Sequence, residues 1–148
     1  MIRLRQSVAA AGFFAVAALA TAAPLVATDR GDVRQRSTGW QLPADAPDKT
    51  NPLTVNDTVL ADGKKIFADK CRKCHGPQGL GDGPDADPER IEEMNLTNPK
   101  RAERNSDGIV FYKVSNGRAK PKMPAFKDEL TETQIWSVVA YVQSLRKK

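Results

Sequence analysis

Apolar residues recur at intervals of three and four in three separate stretches of the chain, with polar residues between them. In the first stretch Val59, Leu60, Gly63, Ile66, Phe67 and Cys71 share one face, while Asp62, Lys64, Lys65 and Asp69 take the other. That period predicts an amphipathic helix, with Asn56 or Asp57 as its N-cap and Cys71 at its C-terminal end. Gly63 lies on the apolar face, where the absence of a side chain would let another helix cross closely. The second stretch covers about Ser106 to Ser115, with Ile109, Val110, Phe111 and Val114 for contacts, Ser106 or Asn105 as cap, and Asn116-Gly117 as terminator. The third and clearest runs from about Glu132 to Arg146: Ile135, Val138, Val139, Val142 and Leu145 make a buried stripe, and Thr131 with Gln134 has capping-box spacing. Lys147 and Lys148 suit the negative end of its dipole. No run alternates as a strand would and no internal repeat occurs. The predicted fold class is all-α, with three main helices.

Upstream of these helices the pattern changes twice. Residues 1–23 read as a secretory signal peptide: Arg3 and Arg5 form a positive start, Ser7 to Ala20 an apolar core, and Thr21 to Ala23 a small-residue cleavage region. The alternative is an uncleaved anchor, because the uncharged stretch Ser7 to Thr28 is just long enough to cross a bilayer. Its many alanines make it weakly apolar, which favours cleavage and delivery to a periplasm over a membrane-anchored form facing the same compartment. Residues 24–55 are polar, contain Pro43, Pro47 and Pro52, and lack periodicity, so an extended tail is expected. Trp40, its one large apolar group, is expected to pack on the chain's own surface rather than wait for a partner. The globular domain is then 56–148.

Composition narrows the class without naming it. A chain of 148 residues, 40% hydrophobic and 28% charged, is one soluble domain. The formal charge of +5 includes Arg3 and Arg5 of the leader, so the exported part is only mildly basic and no nucleic-acid partner is implied. Its distribution matters more. Lys70, Arg72 and Lys73 sit together, Lys120 and Lys122 form a second group, and Asp82, Asp85, Asp87 and Glu89 form an acidic segment that reads as a solvated loop before it reads as a calcium site.

The rarest residues carry the chemistry. Both cysteines and the sole histidine fall in one pentapeptide, Cys71-Arg72-Lys73-Cys74-His75. Cys-x-x-Cys-His is the attachment signal for c-type haem: two thiols add to the porphyrin vinyl groups and the adjoining imidazole binds iron. A thioredoxin dithiol would begin a helix rather than end one, a zinc site needs four ligands, and a disulfide across so small a loop stabilises little and leaves the histidine unexplained. Iron that changes oxidation state with little rearrangement needs a sixth ligand. With no second histidine, a thioether is the obvious one, and after export only Met94 and Met123 remain. Met94 sits in a short polar segment where packing is the ordinary role, and Met123 lies in a loop stiffened by Pro121 and Pro124.

These features resemble the single-haem, class I cytochromes c, over about Asn56 to Lys148. "GKKIFADKCRKCHG" is similar to the family's N-terminal helix, with Gly63 and Phe67 at the positions that contact the C-terminal helix. "IWSVVAYVQSL" resembles that partner, with Val138 and Tyr141 at its contact positions, and "KPKMPAF" resembles the sixth-ligand loop, which puts that role on Met123. The resemblance implies a small cytochrome c fold around one covalent haem c, with His75 and Met123 on the iron. It also implies that the Pro84 carbonyl accepts a hydrogen bond from His75. The implied function is electron transfer between exported redox partners, some with acidic docking patches. A haem-bearing subunit of a periplasmic dehydrogenase or membrane oxidase is the alternative, ahead of a haem enzyme or gas sensor. As a carrier the chain is not an enzyme, and it meets a membrane only if the leader is retained.

Overall fold

Asn56 starts the first long helix, its side chain accepting from the Val59 N–H at 3.0 Å, and α1 then runs Asp57–Lys70. The computed structural model describes residues 39–146. The leader 1–23, the tail residues 24–38 and the dipole pairing of Lys147 and Lys148 lie outside the described residues. The further α-helices are α2 (Arg72–His75), α3 (Ile91–Met94), α4 (Pro99–Ala102), α5 (Asp107–Asn116) and α6 (Glu132–Leu145). Among the described residues there is no strand, only one antiparallel bridge between Arg118 and Met123. The fold is all-α, with α1, α5 and α6 as the long members.

The α6 capping box forms as its spacing predicts: Thr131 N–H donates to Gln134 Oε1 at 2.8 Å and Gln134 N–H to Thr131 Oγ1 at 3.3 Å. The α5 start differs. Ser106 occupies the N-cap position, but its hydroxyl donates to the Pro47 carbonyl at 3.0 Å instead of capping the helix. A tertiary acceptor has displaced the local one.

The core forms where α1 and α6 cross. A β-carbon on Gly63 would lie 2.1 Å from the Ser137 carbonyl oxygen and 2.9 Å from Tyr141 Cβ, so the two backbones meet directly. One turn on, Phe67 is fully buried with its ring 5.3 Å from that of Tyr141, and Val138 and Val139 are buried beside it. Burying each such side chain contributes about 1.5–3 kcal/mol. Phe126 and α5's Val110 and Val114 complete the cluster.

The described part of the tail is not extended throughout. Ala46–Asp48 forms a 3-10 turn, and Ala46 and Trp40 are both buried. The turn lies against the start of α5, where the Gly108 N–H donates to the Lys49 carbonyl at 3.0 Å, and Asn51 Nδ2 then donates to the Trp136 carbonyl of α6 at 2.9 Å. Residues 39–55 thus form an arm bound across α5 and α6. Proline spacing and polarity conceal this, because apart from Trp40 and the Asn51 amide the arm is held through its backbone carbonyls, which leave no mark on residue type.

Gly63→Ala tests the crossing. Overpacking against a backbone carbonyl outweighs the roughly 1 kcal/mol gained in helix propensity, so stability should fall by about 2 kcal/mol and the thermal midpoint by about 10 °C. An unchanged or raised midpoint in scanning calorimetry would show that the helices can part without cost.

Candidate functional site

Cys71 ends α1, its N–H donating to the Phe67 carbonyl at 2.9 Å, and its own carbonyl accepts from Cys74 N–H at 3.2 Å and His75 N–H at 3.0 Å. The chain therefore bends at Cys71 and makes one more turn, α2. Both thiols and the imidazole thereby line a single cavity of about 290 Å³. The two cysteines are free rather than joined. Burial, with Cys74 and Asp69 adding negative charge nearby, pushes the Cys71 thiol up to about 12.

His75 is held from behind. Its Nδ1 lies 2.7 Å from the Met94 carbonyl at the end of α3. A carbonyl only accepts, so Nδ1 carries the proton and Nε2 keeps its lone pair. Burial lowers the imidazole's pKa, with the Met94 bond opposing that shift and the Arg101 charge adding to it, so the ring is neutral at pH 7. This corrects the partner implied by resemblance. Pro84 is exposed, and the Met94 carbonyl takes the place expected of it. The cause is the folding of loop 76–85 back onto α2, with Gly81 N–H donating to His75 O and Asp85 N–H to Lys73 O, both at 2.8 Å. Leu96 N–H then donates to Gly79 O at 2.7 Å, which brings the end of α3 behind the ring.

Met123 reaches the same cavity from the loop after α5. Its backbone pairs with that of Arg118 in both directions at 2.9 Å, and Arg118 Nε donates to the Pro121 carbonyl, also at 2.9 Å. Gly117 makes the turn possible: at φ +57° a β-carbon would be strained and would sit 2.3 Å from the Met123 carbonyl. Met94 lines the cavity as well. Both methionines singled out in the sequence are therefore present, one in a loop and one fixed behind His75 by its own carbonyl.

The remaining walls have two characters. Phe67, Leu96, Val110, Val114, Phe126 and Val138 supply an apolar surface, and Arg101, Lys113, Arg118 and Arg146 supply cations. Burial and the charges of Arg101, Arg118 and Arg146 push Lys113 down to about 8. Trp40 also lines the cavity, with Lys113 Nζ 5.1 Å and Arg118 Cζ 4.6 Å from its ring. An apolar enclosure with two thiols, one neutral imidazole nitrogen, a thioether and several half-buried cations fits haem, a flat apolar macrocycle that carries two carboxylates.

Sequence reasoning did not single out the four cations or assign Trp40 to the cavity. One signal was available: Lys113 falls between Val110 and Val114 on an apolar stripe, where a lysine needs an explanation. Arg101 and Arg146 carry no local signal. The acidic segment has structural partners. Asp87 caps the turn Pro88–Arg90, Arg90 pairs with Asp87 at 3.4 Å and with Glu93 at 3.2 Å, and Arg118 pairs with Glu93 at 3.2 Å. Among the described residues no group of three or more His, Cys, Asp or Glu side chains is placed to hold a metal ion.

Comparison with known proteins agrees with this chemistry. The sequence model of the cytochrome c family matches residues 60–146. A cytochrome c6 of Synechococcus sp. is 38% identical over 87 residues, covering 56% of this chain and 67% of that protein. A cbb3-type cytochrome c oxidase subunit, FixP, of Bradyrhizobium sp. is 35% identical over 85 residues, 57% of this chain but 27% of its own length. Among solved structures, the reducing HAO-like protein complex of Kuenenia stuttgartiensis aligns with a TM-score of 0.52 at 28% identity, covering 74% of this chain and 54% of that one.

Proposed function

The chain belongs to the cytochrome c family, and from that membership we propose an exported, freely diffusing one-electron carrier in which Cys71 and Cys74 would hold the haem by thioether bonds and His75 and Met123 would bind its iron. Its activity is electron transfer, and its cofactor is covalently bound haem c. Bound haem supplies a one-electron store, its iron alternating between ferrous and ferric. The observation that carries the residue assignment is the convergence of these four side chains on one largely apolar cavity.

Each residue's role follows from its surroundings. Met94's carbonyl fixes the tautomer of His75, leaving Nε2 as the donor nitrogen. The same bond ties the Met94 backbone to His75, which supports Met123 as the other side chain that would bind iron. Apolar walls exclude water, and thioether ligation raises the potential. If His75 and Met123 both bound the iron, no open position would remain for a substrate or gas, which favours a carrier over an enzyme or sensor.

Residues 1–23 support delivery to a periplasm. Among residues 39–146 no helix is long and apolar enough to cross a membrane, so the anchored alternative rests on Ser7 to Thr28. The partners are redox proteins. Lys73 and Lys122 are exposed at the cavity, whereas Lys70 is paired with Glu129 at 3.1 Å, so the first two are the better candidates for steering an acidic partner. The likeness to FixP, an oxidase subunit, favours a second reading in which the chain is a docked subunit of a redox complex.

Haem should remain with the chain through acid-acetone extraction and denaturing electrophoresis, and Cys71→Ala or Cys74→Ala should impair maturation; a mature holoprotein that released all its haem would refute the thioether assignment. Met123→Ala should admit cyanide or carbon monoxide and lower the potential while Met94→Ala leaves both nearly unchanged, and the reverse pattern would exchange their roles. For a diffusing carrier, the electron-transfer rate should rise in proportion to partner concentration and fall with added salt, since charges beyond about 8 Å are screened at physiological ionic strength. Reversing the charge of Lys73 and Lys122 should flatten that salt dependence. A rate independent of concentration would favour the docked subunit, and one that rises with salt would exclude steering by these lysines.

A further inference from the structure

Resting on the assignment of Met123 to iron, we propose that Trp40, on the arm outside the family match, positions the Met123 loop by holding the guanidinium of Arg118. Arg118 is the junction of the site. Its backbone pairs with Met123 in both directions, its Nε donates to the Pro121 carbonyl, and its Nη2 donates to Glu93 at 3.2 Å. Glu93 belongs to α3, whose last carbonyl holds His75. One guanidinium therefore ties the loop that carries one ligand to the helix that orients the other.

That guanidinium faces an aromatic ring. Trp40 is 7% exposed, and the Arg118 Cζ stands 4.6 Å from its ring centroid. The ring is itself pinned. A β-carbon on Gly39 would lie 3.4 Å from the Lys120 carbonyl, in the same loop, and the arm is fastened further on by the Lys49–Gly108 and Asn51–Trp136 hydrogen bonds. Arginine on an aromatic face keeps its planar fork oriented, so its hydrogen bonds to Pro121 and Glu93 cost less ordering entropy. Without the face Arg118 is freer to turn, and the Arg118–Met123 pairing loosens with it.

A plain packing role would need only volume, which the choice of variants separates from the aromatic face. Trp40→Leu fills space without a face, Trp40→Phe retains a smaller face, and Met123→Ala reports full loss of the ligand. In the full-length ferric holoprotein the readouts are the weak long-wavelength charge-transfer band of thioether ligation, the rate of cyanide binding, and amide hydrogen exchange at Met123. Trp40→Leu should weaken the band and raise both rates about tenfold, and Trp40→Phe should stay within about threefold of the parent. Parent-like behaviour of Trp40→Leu, or equal impairment of both variants, would overturn the proposal. If Met123→Ala opens the iron while Trp40→Leu does not, only the positioning claim fails; if Met123→Ala changes nothing, the ligand assignment fails. Should Trp40→Leu not mature, Arg118→Lys, which keeps the charge and loses the fork, replaces it with the same outcomes.

Discussion

The Ser137 carbonyl of α6 lies 2.1 Å from where a β-carbon on Gly63 would be, and the rest of the domain is arranged around that backbone-to-backbone contact. Because α1 and α6 meet at Gly63, Phe67 falls one turn later against Tyr141, and Cys71 one turn later again, at the edge of the buried cluster. The attachment pentapeptide is therefore delivered to the cavity by helix geometry, at 1.5 Å per residue, and not by a flexible loop. A wider crossing would displace the thiols from the walls supplied by Val138 and Val142, which belong to the same α6.

The cavity is where the chain's own core is incomplete. Its apolar wall faces space that protein atoms do not fill, and burial, together with the charges of Arg101, Arg118 and Arg146, holds Lys113 down at about 8. Both features are costly for the polypeptide alone. A macrocycle bearing carboxylates offsets both together, since its body fills the apolar space and its charges neutralise the cluster. Cofactor binding and folding are thus coupled through the same residues, and the attachment proposed at Cys71 and Cys74 would keep that coupling permanent.

The arm adds a feature beyond residues 60–146, the span matched by the family. Its carbonyls serve Gly108 and Ser106 at the start of α5, and its Trp40 covers the cavity where Lys113 and Arg118 stand. Since α5 supplies Val110 and Val114 to the wall and leads through Gly117 into the Met123 loop, the arm bears on the helix and the loop together.

By itself the sequence determined the three long helices, the haem and the character of their contact. Those signals are local: a 3.6-residue apolar period, a capping box at Thr131 and Gln134, and a pentapeptide whose spacing matches a porphyrin edge. Only the tertiary structure decided which carbonyl stands behind His75, where Trp40 goes, and that Arg101, Lys113, Arg118 and Arg146 share one cavity. A backbone carbonyl has the same chemistry at Pro84 as at Met94, so residue type cannot rank them; the path of loop 76–85 does. The cations come from separate segments that meet only after α1 and α6 have crossed, and no pattern along the chain records a contact made by chain reversal.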